Sequence, residues 1–297
     1  MVETRDVRTP DGRVVRAHDS GDPGFGVHES GDPGVGSGNP GGDGRLTIIW
    51  HHGSPQTGAL LAPLLAWTAE RRIRLVSYGR PSYGGSTPRP GRSVATAAED
   101  VAAVADALGL ERFAVMGASG GGPHALACAA LLPDRVSGVV NLAGLAPFDA
   151  DGIDWFGGMA SDGASLRAAA EGRDARERYE ATAEFDPESF VERDYDALAG
   201  AWSSLSDDVG LAAADGSDGL IDDDVAFVTP WGFDVTDVRA PVLLVHGGRD
   251  RVVPPSHSEW LATHCPRAEL WRRPDDGHVS VLSECPAALD WLLTNAT

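Results

Sequence analysis

Ser119 has the sequence environment of a catalytic nucleophile. It lies in the pattern GASGG (residues 117–121), which follows a short apolar run and precedes a stretch of helical composition. This G-x-S-x-G pattern is typical of a tight strand-to-helix turn that exposes the serine hydroxyl. A glycine-rich turn could instead bind a phosphate or a dinucleotide, but this turn lacks the G-x-G-x-x-G pattern. We therefore interpret Ser119 as a nucleophile.

Asp250 and His278 are the predicted partners of Ser119 in a catalytic triad. Asp250 ends the pattern HGGRD after an apolar run, and His278 ends the pattern PDDGH. A serine hydroxyl needs a base to take its proton, and the base needs an acid that orients it. The chain order Ser, Asp, His differs from those of the chymotrypsin and subtilisin types. Asp275 and Asp276 compete for the role of the acid, but acids this close to the histidine more often cap the following helix.

Two backbone amides are predicted to form an oxyanion hole. The amide of Gly120 supplies one donor, and the amide of Ser54, in the pattern HHGSP after another apolar run, supplies the second. The loss of one such donor typically costs about 3 kcal/mol of transition-state stabilisation. His51 and His52 would point to opposite faces of a strand, so we expect structural roles for them and no metal site.

Short apolar runs separated by helical stretches predict a mostly parallel, doubly wound α/β sheet. The runs lack polar alternation, as expected for strands that are buried on both faces. The predicted strands are 46–51, 73–78, 113–116, 136–142, 242–246 and 269–271. The predicted crossover helices are 59–70, 94–108 and 123–132. Two alternating runs before them, 2–9 and 13–18, predict an antiparallel hairpin.

The strand rhythm stops between residues 149 and 233, where helical pieces at 165–183 and 194–204 are predicted instead. A structureless loop of this length would be unusual in a compact domain. We therefore predict a core formed by residues 1–148 and 234–297, with a helical insertion at 149–233. Within the core, residues 21–44 are rich in Gly, Pro and Asp and contain a near-repeat of HDSGDPG. This composition favours a flexible loop over a calcium site.

The composition narrows the possible partners. The formal net charge is −20, and residues 151–230 alone hold 20 acidic residues against 5 arginines. Nucleic acid is therefore not expected as a partner, because phosphate contacts need a concentrated basic face. All 24 basic residues are arginines, which leaves no lysine for Schiff-base chemistry.

The same composition favours a soluble protein of the cytoplasm. The longest apolar stretches are too short to span a membrane, and the amino-terminal residues lack the apolar core of a signal peptide. The three cysteines form no CxxC pair, which argues against a disulfide framework and a zinc site. No membrane partner is expected.

The motifs HHGSP, YGRPSYGGS, GASGG, HGGRDRVVP and DDGHVS resemble, in this order, the landmarks of the α/β-hydrolase superfamily. They span nearly the whole chain. The second motif is similar to the family's DRPGxGxS loop, with Tyr78 and Gly79 where an aspartate often occurs. This departure affects loop geometry more than catalysis.

The resemblance implies that the insertion is a lid over the active site. Its aromatic and sulfur-containing side chains would then line an apolar substrate pocket, although they could equally form the core of the lid itself. The predicted pocket residues are Trp155, Phe156, Met159, Trp202, Phe227 and Trp231.

The expected activity is hydrolysis of a small ester, lactone, thioester or amide through an acyl-enzyme, with a small-molecule substrate and without a metal or organic cofactor. Epoxide hydrolases and haloalkane dehalogenases of this fold use an aspartate where this chain has Ser119, so alkyl-enzyme chemistry is disfavoured. A proline-iminopeptidase-like activity is one alternative, because an acidic lid could attract a free amino terminus. A non-hydrolytic small-molecule receptor and a hydroxynitrile-type lyase are the alternatives from other classes.

Overall fold

The described residues fold around one eight-stranded sheet. The computed structural model describes residues 1–22 and 45–296, so the loop predicted at 21–44 lies outside the described residues except for its first two positions. The strands are β1 Glu3–Arg8, β2 Val14–Asp19, β3 Thr47–His51, β4 Arg74–Tyr78, β5 Phe113–Ala118, β6 Val136–Leu142, β7 Val242–Gly247 and β8 Ala268–Arg273.

The sheet is mostly parallel, as predicted. Its strand order is β1-β2-β4-β3-β5-β6-β7-β8. The strands β3 to β8 run parallel to one another, whereas β1 and β2 form an antiparallel hairpin whose strand β2 pairs antiparallel with β4. The bounds of β3 to β8 agree with the sequence prediction to within two residues. For β3 to β7 the reason is that strands buried on both faces leave long apolar runs, whereas β8 is a partly exposed edge strand.

Helices cover both faces of the sheet. They are α1 Ala62–Glu70, α2 Ala97–Ala107, α3 Gly121–Leu131, α4 Ala164–Ala170, α5 Arg173–Glu180, α6 Glu192–Ala199, α7 Ser203–Ala214, α8 Asp218–Phe227, α9 Ser256–His264 and α10 Cys285–Asn295. Successive strand residues point to opposite faces. Ile49 therefore joins the core beneath α2, α3 and α9, and Ile48 joins the core beneath α1 and α10. Within the described ranges, none of the helices is long and apolar enough to cross a bilayer.

The chain reverses its direction of winding between β3 and β5. From β3 it passes to β4 on one side, and it then returns past β3 to β5 on the other side. His51 at the end of β3 lies beside Gly117 of β5. In open α/β sheets the ends of two such strands border the crevice where ligands bind.

The insertion, residues 149–233, lies between β6 and β7 and contains α4 to α8. The helix predicted at 165–183 is divided into α4 and α5 at Gly172, whose φ of 111° is not helical. The helix predicted at 194–204 is likewise divided into α6 and α7, with a non-helical Gly200 after α6. Alanine content made each pair look continuous, and a single glycine ends each first helix.

Candidate active site

Ser119 lies on a tight turn between β5 and α3. Its φ of 52° is in the left-handed region, which side chains rarely adopt. A Cβ on Gly117 would lie 2.3 Å from the carbonyl oxygen of Gly121, and a Cβ on Gly121 would lie 2.0 Å from that of His51. The N–H of Ser119 donates to the carbonyl oxygen of Leu142 (2.8 Å). The two glycines thus allow a turn that presents the serine at the carboxyl end of the sheet.

His278 is hydrogen-bonded to Asp250, with 2.7 Å between Nδ1 and Oδ2. A carboxylate only accepts, so Nδ1 carries the proton and Nε2 is left as the basic nitrogen. The other oxygen of Asp250 accepts from the N–H groups of Val252 and Val253, each at 2.9 Å. Burial alone would lower the pKa of His278, but the charge of Asp250 and this hydrogen bond raise it above its ordinary value.

Asp250 remains ionised in its buried position. Burial acts to raise its pKa, but His278 and His246, whose Nε2 is 3.4 Å from Oδ2, hold the pKa of Asp250 below its ordinary value. The competing acids have other partners. Asp276 pairs with Arg193 at 2.8 Å, and the exposed Asp275 lies 3.5 Å from Arg249. The N–H groups of Val279 and Ser280, which follow His278, donate to Asp194 of α6 and not to these two acids.

Ser119 and His278 line the same cavity, which has a volume of about 410 Å³. Trp50, Leu61 and Leu282 form part of its wall on the side of the sheet. The insertion contributes Phe185, Phe190, Leu198, Trp202, Leu205, Ser206 and Val209. Among the wall residues that the structure describes, His278 carries the only ionisable side chain.

Of the six residues predicted to line a substrate pocket, only Trp202 lines this cavity. The five that lie elsewhere are Trp155, Phe156, Met159, Phe227 and Trp231. They flank the two ends of the insertion, where the chain leaves β6 and approaches β7, and so they pack onto the core of the sheet. Trp155 donates to the carbonyl oxygen of Ala146 (3.0 Å), and Trp231 donates to that of Phe227 (3.1 Å). The middle of the insertion borders the cavity instead.

The two predicted oxyanion-hole residues lie next to each other and to the serine. A Cβ on Gly120 would lie 2.5 Å from the Oγ atom of Ser54, and a Cβ on Gly53 would lie 3.6 Å from the Cβ atom of Ser119. The loop after β3 therefore contacts the turn after β5. The N–H of Gly53 donates to Oε1 of Gln56 (2.6 Å), which closes this loop on itself.

A buried ion-pair network, which the sequence did not reveal, supports the loop that carries Ser54. Asp223 of α8 is fully buried and pairs with Arg80 (2.7 Å) and Arg92 (2.6 Å). It also accepts from the hydroxyl groups of Ser54 (2.5 Å) and Tyr83 (2.9 Å). Burial alone would raise the pKa of Asp223, but the charges of the two arginines hold it well below its ordinary value. A run of three aspartates between the apolar residues of α8 was the available signal.

His51 and His52 have structural contacts. The N–H of Arg80 donates to Nε2 of His52 (3.1 Å), so Nδ1 carries the proton and donates to the carbonyl oxygen of Gly53 (2.7 Å). Burial, together with nearby positive charge, holds the pKa of both histidines well below the ordinary value. Both are therefore neutral at pH 7, and His52 helps to fix the loop after β3.

A family model described as alpha/beta hydrolase fold matches residues 47–284. The chain therefore belongs to this family, which confirms the predicted family and fold and supports its assignment as a hydrolase. A pimeloyl-[acyl-carrier protein] methyl ester esterase of Aromatoleum aromaticum is 47% identical over 55 residues, which are 18% of this chain and 22% of that protein. The match thus spans about a fifth of the length of this relative.

Solved structures resemble the whole fold. A thermophilic esterase from Thermogutta terrifontis has a TM-score of 0.69 at 20% identity, over 99% of this chain and 100% of that one. A bromoperoxidase from Bacillus anthracis has a TM-score of 0.72 at 19% identity, over 98% and 100%. Proteins named for different reactions match about equally well, so the choice among reactions depends on the site.

Proposed function

We propose that this protein hydrolyses esters with an uncharged, apolar group next to the scissile bond, through an acyl-enzyme on Ser119. The observation that carries the proposal is the shared apolar cavity of Ser119 and His278, with His278 hydrogen-bonded to the buried Asp250. The similarity to a named methyl ester esterase supports an ester as the substrate.

In the proposed mechanism, Nε2 of His278 takes the proton of the Ser119 hydroxyl while Oγ bonds to the carbonyl carbon. The carbonyl π electrons move to the oxygen, which the amides of Ser54 and Gly120 stabilise. The tetrahedral intermediate collapses, the ester C–O bond breaks, and the alcohol leaves with the proton from His278. A water molecule then repeats the sequence on the acyl-enzyme, with His278 again as base, and releases the acid.

The wall of the cavity favours an ester over the amino-terminal substrate of an aminopeptidase. A free amino terminus is cationic, and its recognition would need a carboxylate on the wall. The described wall residues carry none, and the buried acids Asp194, Asp208 and Asp223 of the insertion are engaged in hydrogen bonds or ion pairs. The acidic composition of the insertion thus belongs partly to its interior.

We also infer that the insertion is a lid. Its residues between Phe185 and Val209 form one side of the cavity, opposite the wall that the sheet supplies. A substrate would be enclosed between the two sides, which excludes water from the reacting atoms. The groups that bond the insertion to the active-site loops are then part of the enzyme's specificity.

The proposal is tested by comparing the hydrolysis of p-nitrophenyl acetate, butyrate and hexanoate with the hydrolysis of proline β-naphthylamide. We expect turnover of the esters, faster kcat/KM for butyrate or hexanoate than for acetate, and little amide cleavage. Ser119→Ala should reduce kcat by at least about 10⁴-fold. The matched control is Ser206→Ala, because Ser206 lines the same cavity and has no role in the mechanism. Faster cleavage of the amide than of every ester would overturn the proposal.

A further inference from the structure

One carboxylate of the insertion contacts the segment that carries the proposed base. Asp194 of α6 is buried, and its Oδ2 atom accepts from the N–H of His278 (3.2 Å). Its Oδ1 atom accepts from the N–H groups of Val279 (2.9 Å) and Ser280 (2.7 Å) and from the Ser280 hydroxyl (2.8 Å). Three successive backbone amides, beginning with that of His278, therefore point at one side chain of the insertion.

The surrounding residues fit this arrangement closely. Oδ2 of Asp194 also accepts from the N–H of Val191 at the start of α6 (3.1 Å). The Ser280 hydroxyl, which donates to Asp194, accepts from the N–H of Gly277 (2.8 Å). A Cβ on Gly277 would lie only 2.1 Å from Oδ2 of Asp194. The absence of a side chain at position 277 thus allows the carboxylate to approach the backbone.

Three of the other buried acids of the insertion differ from Asp194 because they pair with arginines, and the fourth, Asp208, accepts from the N–H and the hydroxyl of Thr57. Asp222, Asp223 and Asp224 pair with arginines. Among the ion pairs of the described residues, Asp194 has none, and the hydrogen bonds given above are to backbone amides and one hydroxyl. A buried carboxylate is stabilised by several charge-assisted hydrogen bonds of this kind. These bonds also restrict the backbone that supplies them.

We propose that Asp194 is a positioning residue for His278. By fixing the amides of residues 278–280, it holds the imidazole where Nδ1 meets Asp250 and Nε2 faces the cavity with Ser119. It contacts neither the substrate nor the reacting atoms. This inference rests on the proposed function, and it makes the insertion a direct support of the catalytic base as well as a wall of the cavity.

Asp194→Asn tests the inference with Asp222→Asn as the matched control. Asp222 is also a buried acid of the insertion, but it pairs with Arg173 and has no role in the active site. A displacement of about 1 Å at a reacting group can reduce the rate by about 100-fold. We expect kcat of Asp194→Asn to fall by about 10- to 100-fold with little change in KM. Asp222→Asn should retain the wild-type kcat.

Two further readouts separate positioning from a general loss of stability. Removal of the negative charge of Asp194 should lower the pKa of His278, so the acidic limb of the kcat/KM profile should shift to lower pH. Ser280→Ala removes one of the bonds to Asp194 and should give a smaller loss of kcat in the same direction. Hydrogen–deuterium exchange of a peptide covering residues 278–284 should be faster in Asp194→Asn than in Asp222→Asn.

The outcomes distinguish the inference from the proposed function. Failure of the wild-type protein to cleave any ester would reject the proposed function, while the exchange experiment would still report whether Asp194 holds the segment. Wild-type exchange of residues 278–284 in Asp194→Asn would overturn the inference. If the wild-type protein is active, an unchanged kcat and an unchanged pH profile in a folded Asp194→Asn variant would also overturn the inference.

Discussion

The sheet and the insertion are stabilised in different ways. The strands from β3 to β7 are buried among apolar side chains on both faces, with residues such as Ile49, Val115 and Leu244 on one side. Side chains of the insertion also pack onto these cores, but the insertion contacts the candidate active-site loops through buried acids as well. Asp223 joins it to the loop after β3, and Asp194 joins it to the segment after β8.

In the proposed mechanism, this difference separates the groups that react from those that hold them. The loops of the sheet supply the proposed triad of Ser119, Asp250 and His278. The insertion supplies carboxylates that bond to the backbone or side chains beside them. Apolar contacts tolerate small shifts of the side chains, whereas a hydrogen bond to a charged group has a preferred direction. A buried charge that loses its partner also raises the free energy of the folded state strongly. The insertion therefore has the means to fix the loops without taking part in the reaction.

Loss of the acid of the proposed triad, which a loop of the sheet carries, should lower the rate more than any substitution in the insertion. Asp250→Asn keeps the shape of the side chain, but it can stabilise the wrong tautomer of His278 and cannot stabilise the imidazolium. We expect kcat for p-nitrophenyl butyrate to fall by about 10⁴-fold. The control is Asp275→Asn, because Asp275 is an exposed acid close to His278 in sequence. Equal losses in both variants would contradict the assignment of Asp250.

The second effect concerns the ion-pair network of the insertion. Asp223→Asn leaves Arg80 and Arg92 buried without their counter-charge, which should lower the free energy of unfolding by about 3–5 kcal/mol. Urea denaturation measures this change. Asp162→Asn, which removes an exposed ion pair with Arg167 in the same insertion, should leave the midpoint unchanged. A midpoint for Asp223→Asn equal to that of the control would show that the network contributes nothing.

The Asp223 network also gives a pH dependence of stability. The pKa of Asp223 is held well below its ordinary value in the folded state, so the unfolded chain takes up the proton first as the pH falls. The stabilisation is complete above the pKa of the unfolded chain, about 4, and is lost as the pH falls below it toward the folded-state pKa. Urea midpoints of the wild type and Asp223→Asn should therefore converge on acidification. A constant difference down to acid unfolding would contradict this.

A third effect concerns the cavity wall. Val209→Phe should narrow the cavity and lower kcat/KM for the hexanoate ester relative to the acetate ester by about tenfold. The control is Leu211→Phe, because Leu211 lies on the same helix but is exposed to solvent and is not among the residues that line the cavity. Ratios of kcat/KM for the two esters measure the effect. An unchanged ratio in Val209→Phe would place the substrate outside this cavity.

The smallest effect is the pH dependence of the wild-type reaction. His278 must be neutral to accept the serine proton, and Asp250 raises its pKa above the ordinary value. Activity should therefore be full above this pKa and decline as the pH falls through it, with a midpoint above about 6.5. Assays of kcat/KM at pH values from about 5 to about 9 measure the midpoint. A midpoint well below 6 would mean that the charge of Asp250 does not act on the base.

The sequence predicted the sheet more closely than the insertion. The strands were recognisable because burial on both faces leaves continuous apolar runs, and Ser119 was recognisable because its turn requires glycine at 117 and 121. The same local reasoning could not separate Trp202, which lines the cavity, from Trp155, which packs onto the core of the sheet. Both lie in helical or turn segments of similar composition, and only the path of the chain distinguishes them.

The acidic residues of the insertion show the same limit of prediction from sequence. Residues 151–230 contain 20 acidic side chains, most of which look alike in sequence. The importance of Asp194 depends on its proximity to residues 278–280, which are more than eighty positions away. Arg80 lies in the motif YGRPSYGGS, but its ion pair with Asp223 joins two segments that sequence spacing does not relate. Long-range contacts between charged groups leave no periodic pattern.

Covalent labelling with a fluorophosphonate, followed by mass spectrometry of the labelled peptide, tests whether Ser119 is the nucleophile. We expect one adduct on Ser119, its absence in Ser119→Ala, and its slower formation in Asp194→Asn than in Asp222→Asn. An unlabelled wild-type protein, or an adduct on another serine such as Ser54 or Ser206, would contradict it.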